Sequence, residues 1–130
     1  VKALIVGKGP EKDLLEKKII AAGLENAVFL HPSPSRPAAL AAMRRAKVLL
    51  HTADYEGFGY VLTEAAAQGC RVVSTPYGIA PALAACGHDA DTLALEALNV
   101  LQCTAPYLPI VPYEAVFTAD RYLYLFAQTP

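Results

Sequence analysis

The groups whose types and spacing suit chemistry lie in one stretch, Glu56-Gly57-Phe58-Gly59-Tyr60-Val61-Leu62-Thr63-Glu64-Ala65-Ala66-Ala67-Gln68-Gly69. Two carboxylates eight positions apart bracket a Gly-Phe-Gly turn. On one continuous helix that spacing leaves the side chains about 80° apart. The two glycines argue against continuity, which puts Glu56 in the turn and Glu64 early in a helix over residues 63–68. Helical side chains tilt toward the N-terminus, so Glu64 leans back to the mouth of the turn. Both carboxylates then face one pocket across the amides of Gly57, Phe58, Gly59 and Tyr60. Amides at a helix N-terminus suit a diphosphate, and a carboxylate accepts paired hydrogen bonds from a vicinal diol. The stretch therefore reads as a site for sugar hydroxyls together with phosphate. The plainer reading makes Glu64 a partner of the helix dipole and Glu56 a solvated loop acid. That suits an isolated pair of glutamates better than one bracketing glycines between two strands.

Those strands are Lys47-Val48-Leu49-Leu50-His51-Thr52 before the turn and Arg71-Val72-Val73-Ser74-Thr75 after it, both short, apolar and β-branched. Strand, glycine turn, helix, strand is the arrangement in which α/β proteins bind ligands at strand carboxyl ends. The same alternation runs upstream. Residues 1–6 form a buried strand ending at Gly7. A helix begins at Pro10-Glu11, with Leu14, Leu15, Ile19 and Ala22 as its apolar stripe, and stops at Gly23. Residues 27–30 form the next strand, and a proline-rich loop from His31 leads into a helix over 37–46. Downstream, a short helical piece is expected over 81–85 and a helix over 91–101 with Leu95 and Leu98 on its apolar face. An irregular stretch over 104–113 and an aromatic-rich helix over 118–128 follow. Four strands separated by helices predict a single α/β domain over residues 1–130, a Rossmann-like parallel sheet with helices on both faces.

The composition narrows the partners. A net charge of −1, with no basic block beyond Arg44-Arg45, gives nucleic acid no footprint. No apolar run approaches the ~18 residues that span a bilayer. Cys70, Cys86 and Cys103 are odd in number and lack a Cys-x-x-Cys pair, which fits reduced thiols in a cytoplasmic protein and supplies no zinc site. Gly7-Lys8-Gly9-Pro10 follows a strand, but the third glycine of a dinucleotide fingerprint would fall at Lys12, and the second strand ends in His31-Pro32 without an acid. No Gly-Lys-Ser/Thr occurs, so there is no Walker loop. Gly7 and Lys8 read instead as a tight turn feeding a helix beside a ligand cleft, and His51 as a strand-end residue near the ligand.

Taken together, the chain resembles the C-terminal, donor-binding half of a retaining GT-B glycosyltransferase of family-4 type. The resemblance rests on Leu4 through Glu11, Gly23-Leu24, Val28-Phe29-Leu30, Ala46 through Val48, Tyr55 through Gly59, Glu64-Ala65, Gly69, Val72 through Pro76, and Gly78. It implies that Glu64 holds the ribose hydroxyls of a nucleotide. Glu56 would be the catalytic-site carboxylate that orients the donor sugar. Gly57, Phe58, Gly59 and Tyr60 would offer amides to sugar and diphosphate, and the loop at His31 would seat the base. The implied co-substrate is a nucleotide-diphosphate sugar, with no metal and no resident cofactor. The implied acceptor is an unknown glycan, lipid or small molecule, attacked with retention and with no side chain assigned as nucleophile.

The chain also departs from that family. The family's arginine and lysine, carried on an earlier strand-helix unit, have no counterpart after Val1, and its N-terminal acceptor domain is absent, so a fragment that is inactive alone is expected. Gly78-Ile79-Ala80-Pro81-Ala82 stands where many members have Gly-Gly-x-Pro-Glu. A catalytically inactive nucleotide-sugar-binding or interaction module of the same fold is the alternative. A GT-B phosphorylase or epimerase is a third reading, although no lysine has a setting suited to pyridoxal phosphate. The expected partners are the missing N-terminal domain and, through the aromatic C-terminal helix, a second copy of the chain. The expected location is cytoplasmic, with membrane association of the full-length protein left open.

Overall fold

The computed structural model describes residues 1–105. They form β1 (Ala3–Val6), α1 (Lys12–Ala21), β2 (Val28–His31), α2 (Arg36–Arg45), β3 (Val48–His51), α3 (Tyr60–Ala67), β4 (Arg71–Ser74), α4 (Ala80–Leu83), β5 (Ala85–Cys86) and α5 (Ala90–Gln102). Strands and helices alternate and every described ladder is parallel, which is the Rossmann-like α/β class that the sequence predicts. The ladders fall into a sheet of two strands and a sheet of three. The chain divides into two compact units, Val1–Ala39 and Leu40 onward.

In the first unit β1 pairs with β2 from Ala3↔Val28 to Val6↔His31. The Gly7 N–H extends the ladder by donating to His31 O at 3.1 Å. α1 closes on Gly23 and Leu24, whose N–H groups reach the carbonyls of Ile20 and Ile19. Its apolar stripe shrinks to Leu15 and Ile19, which are half-buried, while Leu14 is exposed. The expectation of a buried first strand is not met: Leu4, Ile5 and Val6 are 51, 40 and 47% exposed. Among the described residues β1 has one partner strand, and α1 contributes no buried residue to cover it. A two-stranded sheet cannot bury its own faces.

In the second unit the strand order is β3-β4-β5. The central strand is the most buried, with Val72, Val73 and Ser74 all inside. Val72 joins Leu62, Ala65, Ala66, Cys70, Ala80 and Leu83 in one core cluster. Alanines at three of those positions let α3 and α4 lie close to the sheet and to each other. Val73, next along the strand, projects from the opposite face. α5 packs on all three strands of this sheet and buries Leu93, which lies outside that cluster.

α5 starts on a capping box. The Asp89 carboxylate accepts the Thr92 N–H at 2.8 Å, and Thr92 Oγ1 accepts the Asp89 N–H at 3.2 Å. Its packed side is Leu93 with half-buried Ala97 and Val100, not the expected Leu95 and Leu98, which remain exposed. The helix carries two apolar stripes, and the one containing Ala97 allows the closer approach.

β5 goes beyond the four expected strands; at two residues it exists through its ladder to β4, Val73↔Ala85 and Ser74↔Cys86. Cys70, Cys86 and Cys103 are free thiols, and burial pushes the Cys70 thiol above its ordinary value. Among the described residues no helix is long and apolar enough to cross a membrane. The expected aromatic helix lies outside the described residues, as does most of the irregular stretch before it.

Candidate functional site

β3 and β4 end side by side, with His51 opposite Ser74 in the parallel register. That register sets His51 Nδ1 3.3 Å from Ser74 Oγ. The other ring nitrogen, Nε2, lies 3.7 Å from Glu56 Oε2, and both side chains are partly shielded. The chain leaving β3 and the chain leaving β4 are then joined twice. Thr75 Oγ1 donates to Ala53 O at 2.6 Å, and the Ile79 N–H donates to Phe58 O at 2.8 Å. Gly78 makes the second junction possible. Its φ is +59°, and a Cβ there would stand 2.5 Å from Phe58 O.

Gly59 sets the other end of the turn. It caps α3 in the left-handed region at φ +92°, where a Cβ would meet Leu62 Cδ1 at 3.0 Å and Glu56 Cγ at 3.3 Å. The missing side chain lets the Glu56 stem cross the turn. At Gly57, by contrast, a Cβ would meet nothing within 4 Å.

α3 begins at Tyr60, three residues earlier than the sequence reading placed it. The Leu62 N–H already finds Gly59 O at 3.0 Å. Thr63, taken as the first residue, instead bonds its hydroxyl back to Tyr60 O at 2.8 Å. Glu64 is therefore the fifth residue of α3 and half-buried, one turn beyond Tyr60 on the same side of the helix.

Around this turn the N–H groups of Gly57, Gly59, Tyr60 and Val61 have no acceptor among the described residues. They sit at the positive end of α3, where an anion is favoured. The rings of Phe58 and Tyr60 pack at 4.8 Å between centroids, tilted by 46°, and Tyr60 is exposed. Chemically the arrangement offers donors for phosphate oxygens beside carboxylates for hydroxyls.

Gly7, Lys8 and His31 come together in the first unit. With Gly9, Lys12 and Pro32 they line a cavity of about 640 Å³ at the carboxyl ends of β1 and β2. The Gly7 N–H is engaged by the ladder, and His31 Nδ1 lies 2.5 Å from Pro32 O. Glu56, Gly57, Phe58, Gly59, Tyr60, Glu64 and His51 all belong to the second unit.

Ser74, Thr75 and the Ile79 amide escaped the sequence reading as members of the site. The signal available was a pair of polar residues closing a buried strand next to one that closes on histidine. Among the described residues no group of three His, Cys, Asp or Glu side chains is placed to hold a metal ion.

No curated protein gives a significant sequence match. HepE of Anabaena, crystallised with UDP, superposes on 99% of this chain at a TM-score of 0.75 and 22% identity. The HepE crystal with UDP-glucose gives 0.74 and 20% over the same 99%. This chain spans 41% of the HepE length, and at such identity the likeness establishes a shared fold. The family model for glycosyl transferases group 1 matches residues 1–94, and on that match the chain belongs to the glycosyl transferases group 1 family.

Proposed function

We propose that this chain is the donor-binding half of a retaining, family-4-type glycosyltransferase, which moves a sugar from a nucleotide-diphosphate sugar to an acceptor. The observation that carries the reading is the α3 N-terminus. Four main-chain N–H groups without acceptors among the described residues sit there, beside Glu56 and one turn from Glu64, in a chain of the glycosyl transferases group 1 family. Phosphate oxygens take those N–H groups, and the dipole of α3 offsets part of the diphosphate charge without a resident metal. Glu56 accepts hydroxyls of the donor sugar and Glu64 those of the ribose. As the bond at the anomeric carbon breaks, positive charge grows on the sugar, and the Glu56 carboxylate favours it electrostatically. An acceptor-binding domain completes the enzyme.

The HepE crystals hold UDP and UDP-glucose, which makes these the first ligands to test. Calorimetric titration of the chain with UDP, UDP-glucose, GDP and ADP should show binding of one nucleotide. Glu64→Ala should weaken it by about 1–3 kcal/mol. No binding to any nucleotide refutes the reading.

A second reading, a binding module that no longer catalyses, is favoured by one feature. At Gly78-Ile79-Ala80-Pro81-Ala82 the family's second glycine and acid are replaced, and the Ile79 N–H is engaged by Phe58. Nucleotide binding without sugar transfer, measured in the presence of the acceptor domain, selects that reading.

A further inference from the structure

A glutamate on a loop has side-chain torsions to fix before its carboxylate can orient a hydroxyl, and that ordering weakens binding unless the protein supplies it beforehand. Glu56 is held from two sides. Its stem crosses the turn over Gly59, and its Oε2 faces His51 Nε2 at 3.7 Å. This is the range of an ion pair, longer than a hydrogen bond. The imidazole is anchored in turn, because Nδ1 lies 3.3 Å from the hydroxyl of Ser74, a residue only 1% exposed.

The Ser74 hydroxyl has one proton: while it donates to Thr75 O it holds a charged ring by accepting from Nδ1–H, and it holds a neutral ring by turning that proton to Nδ1. In both states Nε2–H is left directed at the carboxylate. The anchor is set in the sheet, because His51 and Ser74 are paired residues of adjacent strands. Glu56 Oε1 makes no hydrogen bond or ion pair among the described residues and stays available to a ligand.

We propose that His51, seated on Ser74, is a positioning residue that fixes the Glu56 carboxylate for the hydroxyls of the donor sugar. This rests on the reading that Glu56 meets that sugar. Acting through Glu56, His51 bears on the sugar end of the ligand and not on the nucleotide end.

The test compares UDP-glucose with UDP on the whole chain. His51→Ala should weaken UDP-glucose binding about fivefold to tenfold and leave UDP within about twofold, which also shows that the variant is folded. His51→Gln, whose side-chain amide can donate toward Glu56, should recover most of the loss. Equal losses for the two ligands, or no loss for either, overturn the positioning role. A wild-type chain that binds neither ligand refutes the nucleotide-sugar reading itself, and the anchor is then read without ligand. Nitrogen-15 spectra of the His51 ring should move in both S74A and E56Q. Ring resonances indifferent to both substitutions overturn the Ser74–His51–Glu56 arrangement.

Discussion

Replacing Gly78 with alanine would put a methyl carbon 2.5 Å from Phe58 O and 2.8 Å from its carbonyl carbon. Both are main-chain atoms, so no side-chain rotation relieves the clash. The position also sits at φ +59°, where an L residue costs about 1–2 kcal/mol. Relief requires the turn at 78–79 to back away from Phe58. That lengthens the 2.8 Å bond from the Ile79 N–H, a loss of about 0.5–1.5 kcal/mol. The combined expectation is about 1.5–3.5 kcal/mol of stability. The natural control is Gly57→Ala, where a Cβ meets nothing and φ is not positive. It should leave stability unchanged or raise it by up to about 1 kcal/mol. Urea unfolding of the three proteins, compared at their midpoints with constant m-values, measures both. A Gly78→Ala loss below about 1 kcal/mol, or a Gly57→Ala loss as large as that of Gly78→Ala, refutes the argument that close approach to Phe58 holds the turn.

Two further outcomes follow from neighbouring contacts. Thr75→Val keeps the side-chain volume but removes the donor to Ala53 O, and should cost about 1–2 kcal/mol in the same urea assay; no loss would mean that this carbonyl finds another partner. The Thr92 amide, followed by the Thr92 hydroxyl, holds the Asp89 carboxyl below its ordinary value of 3.8. A lowered folded-state value means that the cap contributes fully above the unfolded value and is lost as pH falls through the folded one. Asp89→Asn should therefore flatten the decline of stability below pH about 4, and stability-against-pH curves of equal slope for the two proteins would contradict it.

Much of the second unit was legible because its strands announce themselves. The Val-Leu-Leu and Val-Val runs place β3 and β4 within a residue of their observed ends. The Glu56–Glu64 stretch marked the turn between them, and Glu56 does lie in that turn. What failed depended on contacts between segments. The start of α3 was misplaced because Gly57 and Gly59 were read as holding the helix off until Thr63, whereas Gly59 is its N-cap and the helix begins at Tyr60. Leu95 and Leu98 looked like the buried side of α5, but the choice between two apolar stripes belongs to the sheet that receives the helix. β1 has the composition of a buried strand, and burial is conferred by neighbours that its own residues do not encode. His51 and Ser74 are 23 positions apart, and only the parallel register makes them neighbours.

The two junctions between the chain after β3 and the chain after β4 share one property. On the first loop the atoms involved are Ala53 O and Phe58 O, both main-chain oxygens. Neither junction reads which side chain stands at 53 or 58, but both read how many residues separate them. An insertion or deletion between those positions would slide one oxygen away from its donor, whereas many substitutions would leave both bonds intact. The loop is thus fixed in length and permissive in identity. Such a loop can exchange its side chains without redesigning the frame that holds them.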